Sequence, residues 1–191
     1  MSILKIAQMG EPVLRRRAEE VPVDQLGSAR IQTLIDDMIE TMRDADGAGI
    51  AAPQVYESLR VCVVEVRENR RYPDFPNIPL LVLVNPVVVP RVGADGNPSP
   101  EDTISMFEGC LSVAGVRGKV RRPRSVQVRA LDRHGKELSF AWEGIPAAIV
   151  QHETDHLDGK LFVDRADPRT LTFLREYDRY VPVAQRIQDR T

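Results

Sequence analysis

The chain has 191 residues, 42% hydrophobic and 28% charged, a size and balance that suit one folded soluble globular unit rather than a disordered or fibrous chain. A formal net charge of -2 provides no general basic field for nucleic acid, and no run approaches the roughly 18 apolar residues of a membrane span. The opening MSILKIAQMG has neither the apolar run nor the small-residue cleavage site of a signal peptide, and two cysteines are too few for a disulfide framework. A cytoplasmic protein with a single domain over residues 1–191 is therefore expected, with no membrane association and no direct nucleic-acid contact.

Taken in chain order, the first clear element is a helix. Ile31, Leu34, Ile35, Met38, Ile39 and Met42 recur at the three-and-four spacing that lines one helical face. Ser28 is placed to cap its start, and Asp44 to Gly49, with Gly47 and Gly49, to end it. After the loop GAGIAAPQ come apolar runs that suit strands, at Leu59–Val66 and Leu80–Val89. Cys62 sits inside the first of them and reads as a small hydrophobe packed in a sheet core. The proline-bearing segment 67–79 and the segment 93–100 read as surface loops.

The basic residues Arg117, Lys119, Arg121, Arg122 and Arg124 read as a solvated strand face in preference to a site for an anionic partner. Strands at Ser125–Leu131 and Glu137–Trp142 are expected to pair through a turn at Asp132–Gly135, which makes His134 a turn residue. Ile145, Ala148, Ile149, His152 and His156 then share one helical stripe, with Pro146 near its start and Gly159 past its end. A last helix is predicted over Leu171–Tyr180 and is stopped by Pro182. The expected class is α+β: mostly antiparallel strands packed around the central helix of His152 and His156, with an N-terminal and a C-terminal helix.

That central helix carries the chemistry. Four residues apart, His152 and His156 stand one turn apart on one face and can converge on one ion. Glu153 completes H-E-x-x-H, in which the glutamate takes a proton from water activated by the metal and is not itself a ligand. A catalytic site needs a third protein ligand and one open position. The metzincin string would place a histidine where Phe162 stands, so that branch fails. Glu176 remains open as a thermolysin-like ligand. So does Cys110, whose setting Glu-Gly-Cys-Leu-Ser puts a thiol beside a glycine at the end or edge of a strand. A closed, non-catalytic site would need a fourth ligand, for which Cys62 is the available residue.

Three segments together resemble the peptide deformylases: Gly47-Ala48-Gly49-Ile50-Ala51-Ala52-Pro53-Gln54, Glu108-Gly109-Cys110-Leu111-Ser112 and Gln151-His152-Glu153-Thr154-Asp155-His156-Leu157. The likeness extends from about Ile6 to Asp164. It implies hydrolytic removal of the formyl group from formyl-methionyl nascent peptides, with formate as the second product and transient proximity to the ribosome. By this likeness Cys110, His152 and His156 are the metal ligands and Glu153 the proton acceptor. Gln54 and the backbone N–H of Leu111 are the donors to the oxyanion, the first through its side-chain amide.

The same likeness implies that the loop of Ala48 and Gly49 lies along the substrate, that Ile145 and Ala148 shape the methionine pocket, and that Arg117 lies near later substrate residues. The expected cofactor is one divalent ion, Fe2+ in the cell, with Zn2+, Ni2+ or Co2+ in purified protein. Glu108 and Arg122 are expected to pair and hold the cysteine strand. Two features depart from the family pattern: Ala114 stands where a proline is common, and the 67–79 loop is long. No ribosome-docking role is carried to the C-terminal tail.

Overall fold

The computed structural model describes residues 2–67, 76–91 and 102–189, residues 188–189 in backbone only. The predicted loop 93–100 and residues 68–75 of the other loop lie outside these. Pro79 belongs to a strand. In chain order the elements are α1 (Val23–Leu26), α2 (Ala29–Asp44), β1 (Gly49–Ala51), β2 (Val61–Val66), β3 (Ile78–Pro90), β4 (Thr103–Cys110), β5 (Val113–Pro123), β6 (Ser125–Leu131), β7 (Glu137–Glu143) and α3 (Ile145–Leu157). After them come β8 (Thr172–Phe173), α4 (Leu174–Tyr180), α5 (Val183–Arg186) and β9 (Ile187–Asp189).

Helix α2 begins as its sequence predicts, with the Ser28 hydroxyl accepting from the Ile31 N–H. It also ends in the predicted stretch, at Asp44. The left-handed residue is Asp46, with φ 50°, and Gly47 N–H then donates back to the Met42 carbonyl at 2.9 Å, which closes the last turn. Aspartate tolerates this conformation because its short polar side chain can bond locally. The apolar stripe of α2 is buried against Ile50, Val61, Val63, Val82 and Val84.

Two antiparallel sheets flank α3. One runs in the order β1-β2-β3-β6-β7 and the other β8-β5-β4-β9. Ala147, Val150 and Leu157 of α3 pack with Cys62, Leu83, Val126 and Val128 of the first sheet, so Cys62 is the core thiol that its apolar run predicts. On another side Ala148 meets Ile104 and Met106 of β4. The predicted strands are found to within two residues, and β6 pairs with β7 from Ser125↔Glu143 to Leu131↔Glu137. Among the described residues no helix is long and apolar enough to cross a membrane.

Two features depart from the prediction. Residues 103–123, read above as strand only around Cys110 and along the basic run and without bounds, form the β4–β5 hairpin, with pairs from Thr103↔Pro123 to Cys110↔Val113. The last predicted helix starts at Leu174, because Thr172 and Phe173 instead pair with Arg117 and Val116 at the edge of β5. Met38 is fully buried between α2 and the first sheet. Met38→Ala should cost about 2–5 kcal/mol of stability, read from urea unfolding, since the cavity it leaves has rigid walls.

Candidate active site

The Cys110 thiol comes from the last residue of β4, and both histidines come from α3, so hairpin and helix must meet for the cluster to exist. They do meet. One donor atom from each of Cys110, His152 and His156 lies within 4.8 Å of the others, and Cys110 Sγ is 3.3 Å from His156 Nε2. The other ring nitrogen of His152, Nδ1, faces Glu108 Oε2 at 2.8 Å, which leaves Nε2 to turn toward the thiol.

Gln54 is held in the turn Ala52–Val55, where its Oε1 accepts from Ala51 N–H at 2.9 Å. With the amide oxygen engaged there, the NH2 group faces the cluster, 3.5 Å from Cys110 Sγ and 3.1 Å from Ser112 Oγ. An open cleft of about 610 Å3, solvent-filled mouth included, has Gln54, Leu111, His152 and Glu153 in its walls. Ala48, Gly49, Met106, Ala148 and Ile149 line it too.

Burial acts on three titratable groups in this site and prevails at two of them. The Glu153 carboxyl is pushed up to about 7, chiefly because burial disfavours its anion. Burial also holds His156 well below the usual histidine range, hence neutral with a free lone pair. Burial pulls His152 down as well, but its bonds to Cys110 and Glu108 outweigh that and raise it well above the usual value.

These donors fit a cation. Two imidazoles and a thiol are donors that would hold a divalent ion, the cleft reaches Cys110 and His152, and Glu153 Oε2 is buried with no hydrogen-bond partner. The other two ligand options do not join this cluster. Glu176 is exposed on α4, and Cys62 is fully buried in the sheet core. Among the described residues the cluster is Cys110, His152 and His156.

Ile145 and Arg117 are not in the cleft wall. Ile145 packs against two apolar clusters, one with Val64 and Ile149 and the other with Ile104, Met106 and Ala148. Arg117 is buried and lies across Gly109, where a Cβ would collide with its guanidinium. Arg122 is buried too while Arg121 is exposed, so the basic stretch is solvated only in part. Its guanidinium grips Glu108 at 2.6 and 2.9 Å and Asp155 at 2.8 Å. Met106 and Ile149 were missed as cleft residues. Ile149 shares the stripe of His152, while Met106 has no signal until β4 is recognised as a strand. Phe162 is a core residue, its ring stacked 6.3 Å from that of His152.

A thiol–imidazole cluster beside a buried carboxylate, set in an α+β fold, has the make-up of a metal-dependent hydrolase. The family profile for Polypeptide deformylase matches residues 3–171. A peptide deformylase of Dehalococcoides mccartyi is 45% identical over 168 residues, 87% of this chain and 88% of its own length. The chloroplastic peptide deformylase 1A of Solanum lycopersicum is 38% identical over 182 residues, covering 91% of this chain, which spans 63% of the tomato protein. The Met-Ala-Ser-bound class I type b peptide deformylase of Acinetobacter baumannii superposes with a TM-score of 0.78 at 43% identity, over 86% of this chain and 99% of that one.

The chain belongs to the polypeptide deformylase family. These are metal-dependent enzymes that remove the N-terminal formyl group from newly made polypeptides.

A Cβ at Gly49 would collide with the Glu153 carboxylate. Gly49→Ala should therefore displace Glu153 and lower kcat about a hundredfold, with metal content unchanged by elemental analysis. Glu108 is held at about 2: burial raises it, but Arg122 and the His152 hydrogen bond lower it further. Because that lies below the unfolded value of about 4.3, its contribution to stability is complete above pH ~4.3 and is lost as pH falls toward 2. Thermal unfolding of metal-free protein should show this loss, and Glu108→Gln should flatten it.

Proposed function

We propose that Cys110, His152 and His156 hold one divalent ion at which the formyl group of a formyl-methionyl chain is hydrolysed. The observation that carries this reading is a buried donor cluster with the Gln54 amide and the unpartnered Glu153 carboxylate turned to the same cleft. The ion supplies Lewis acidity, polarising a carbonyl and lowering the pKa of water from 15.7 to about 7. Glu153, buried and with Oε2 free of any hydrogen-bond partner, accepts the proton of the attacking water and returns it to the departing amine. Gln54 NH2 and Leu111 N–H donate to the oxyanion that develops on the formyl oxygen. The C–N bond breaks, giving formate and a free amino terminus.

Ala48 and Gly49, at the free edge of the first sheet, offer backbone groups to an extended peptide. Met106, Ala148 and Ile149 enclose the methionine side chain, with Ile145 behind them as support. The Met-Ala-Ser peptide of the A. baumannii structure has the sequence type that such a pocket would release. Arg117 acts indirectly, by packing on Gly109. Residues 1–191 work as one catalytic domain, a reading supported by α3 touching both sheets.

The cellular ion is Fe2+. The family likeness supports iron, while the donor set also admits Zn2+, Ni2+ and Co2+. The site of action is the cytoplasm, in passing proximity to the ribosome, without direct nucleic-acid or membrane contact. Two free cysteines are in keeping with a reducing compartment.

Protein prepared without oxygen and loaded with Fe2+ should release formate from a formyl-Met peptide; metal-loaded protein that releases none refutes this function. Glu153→Ala should retain the metal yet lose about a hundred- to ten-thousandfold in kcat. Gln54→Ala should lose about a hundred- to a thousandfold, since it removes one oxyanion donor.

A further inference from the structure

A chain of charged side chains runs from the His152 ring to the protein surface. Glu108 Oε2 meets His152 Nδ1 at 2.8 Å, and Arg122 grips both Glu108 oxygens. The third arm of Arg122 donates to Asp155 Oδ2 at 2.8 Å. Arg165 closes the chain, its Nε and Nη2 donating to the two Asp155 oxygens at 2.6 Å each. Glu108, Arg122 and Asp155 are 6%, 3% and 7% exposed, whereas the Arg165 side chain is 43% exposed.

Arg165 brings a second guanidinium to this chain. Two buried carboxylates face one buried guanidinium, so Arg165 supplies the compensating positive charge at the solvent end. Asp155 Oδ2 is shared by both arginines. If Arg165 is removed, Arg122 becomes the sole charged partner of Asp155. It is then drawn toward that carboxylate, at the expense of its fork on Glu108. Glu108 is the group that orients the His152 ring. The turn that follows α3 can therefore reach a ring on α3 by way of β5 and β4.

We propose that Arg165 is a positioning residue for His152, acting through Asp155, Arg122 and Glu108 to fix the ring that faces the metal. This rests on the reading of His152 as a ligand. The test uses full-length protein loaded with Co2+ and follows its visible absorption while a chelator strips the ion. Arg165→Gln should accelerate stripping about tenfold, and Arg165→Lys, which keeps the charge but loses the two-point grip, should fall between.

In a Glu108→Gln background, Arg165→Gln should add nothing, because the link it acts through is already cut. Equal acceleration in both backgrounds, or none in the Glu108-containing protein, overturns the proposal. A purely structural role would produce the equal acceleration, together with a lower thermal midpoint of the metal-free protein. Separately, His152→Ala protein that retains Co2+ as firmly as the parent would show that the ligand assignment itself is wrong, whatever Arg165 does.

Discussion

A carboxylate at 6% exposure cannot be left without partners, and Glu108 finds them on two different elements. One oxygen faces the His152 ring on α3, and both are held by the guanidinium of Arg122 on β5. Breaking a buried pair of this kind on one side strands the other charge. Hairpin and helix are thus held at one separation by directional bonds, at the point where Cys110 must meet the two histidines. Among the described residues the first sheet has no such bond to α3 near the cluster. It docks through Ala147, Val150 and Leu157 by apolar contact, which fixes distance more loosely than orientation-dependent pairing does.

Close backbone approach completes the cleft. Gly49 leaves room for the Glu153 carboxylate and Gly109 for the Arg117 guanidinium, and in each case a single carbon would fill the space. The Gln54 amide is oriented by what lies behind it, the Ala51 N–H that takes its oxygen. The N-terminal segment braces the same region. Ala7 N–H donates to the Gln54 carbonyl at 2.8 Å, and Met9 N–H to that of Ser112 at 2.7 Å. Residues far apart in sequence therefore share the support of one small volume.

Much of the fold was legible because its periodicity is local. Helices α2 and α3 each present an apolar stripe, and β6 and β7 alternate around a recognisable turn. The β4–β5 hairpin was legible only as strand character near Cys110 and along the basic run, without its bounds or its pairing. Ile104, Met106, Glu108 and Cys110 alternate inward, but the third of these is a glutamate, and its partner Arg122 stands in a run of basic residues. Alternation of hydrophobicity fails where the inward residue is an ion whose counter-ion lies on another strand. The misplaced start of α4 has a similar origin: Leu171, Leu174 and Tyr177 have helical spacing, but the open edge of β5 captures Thr172 and Phe173 first.

Short-range pattern determined the secondary elements around α3, the pairing of His152 with His156 on one face and the proximity of Glu153, since all of these depend on residues within one or two helical turns. The three motifs were enough to nominate Cys110, Gln54 and Leu111. Only the tertiary structure decided which distant thiol joins the histidines, and that Arg122 and Asp155 are buried partners instead of surface charges. It also decided that Met106 and Ile149 line the cleft while Ile145 and Arg117 support it. Each of these depends on which strand faces which helix, a choice made by the pairing of buried charges and the fit of apolar surfaces across the whole chain.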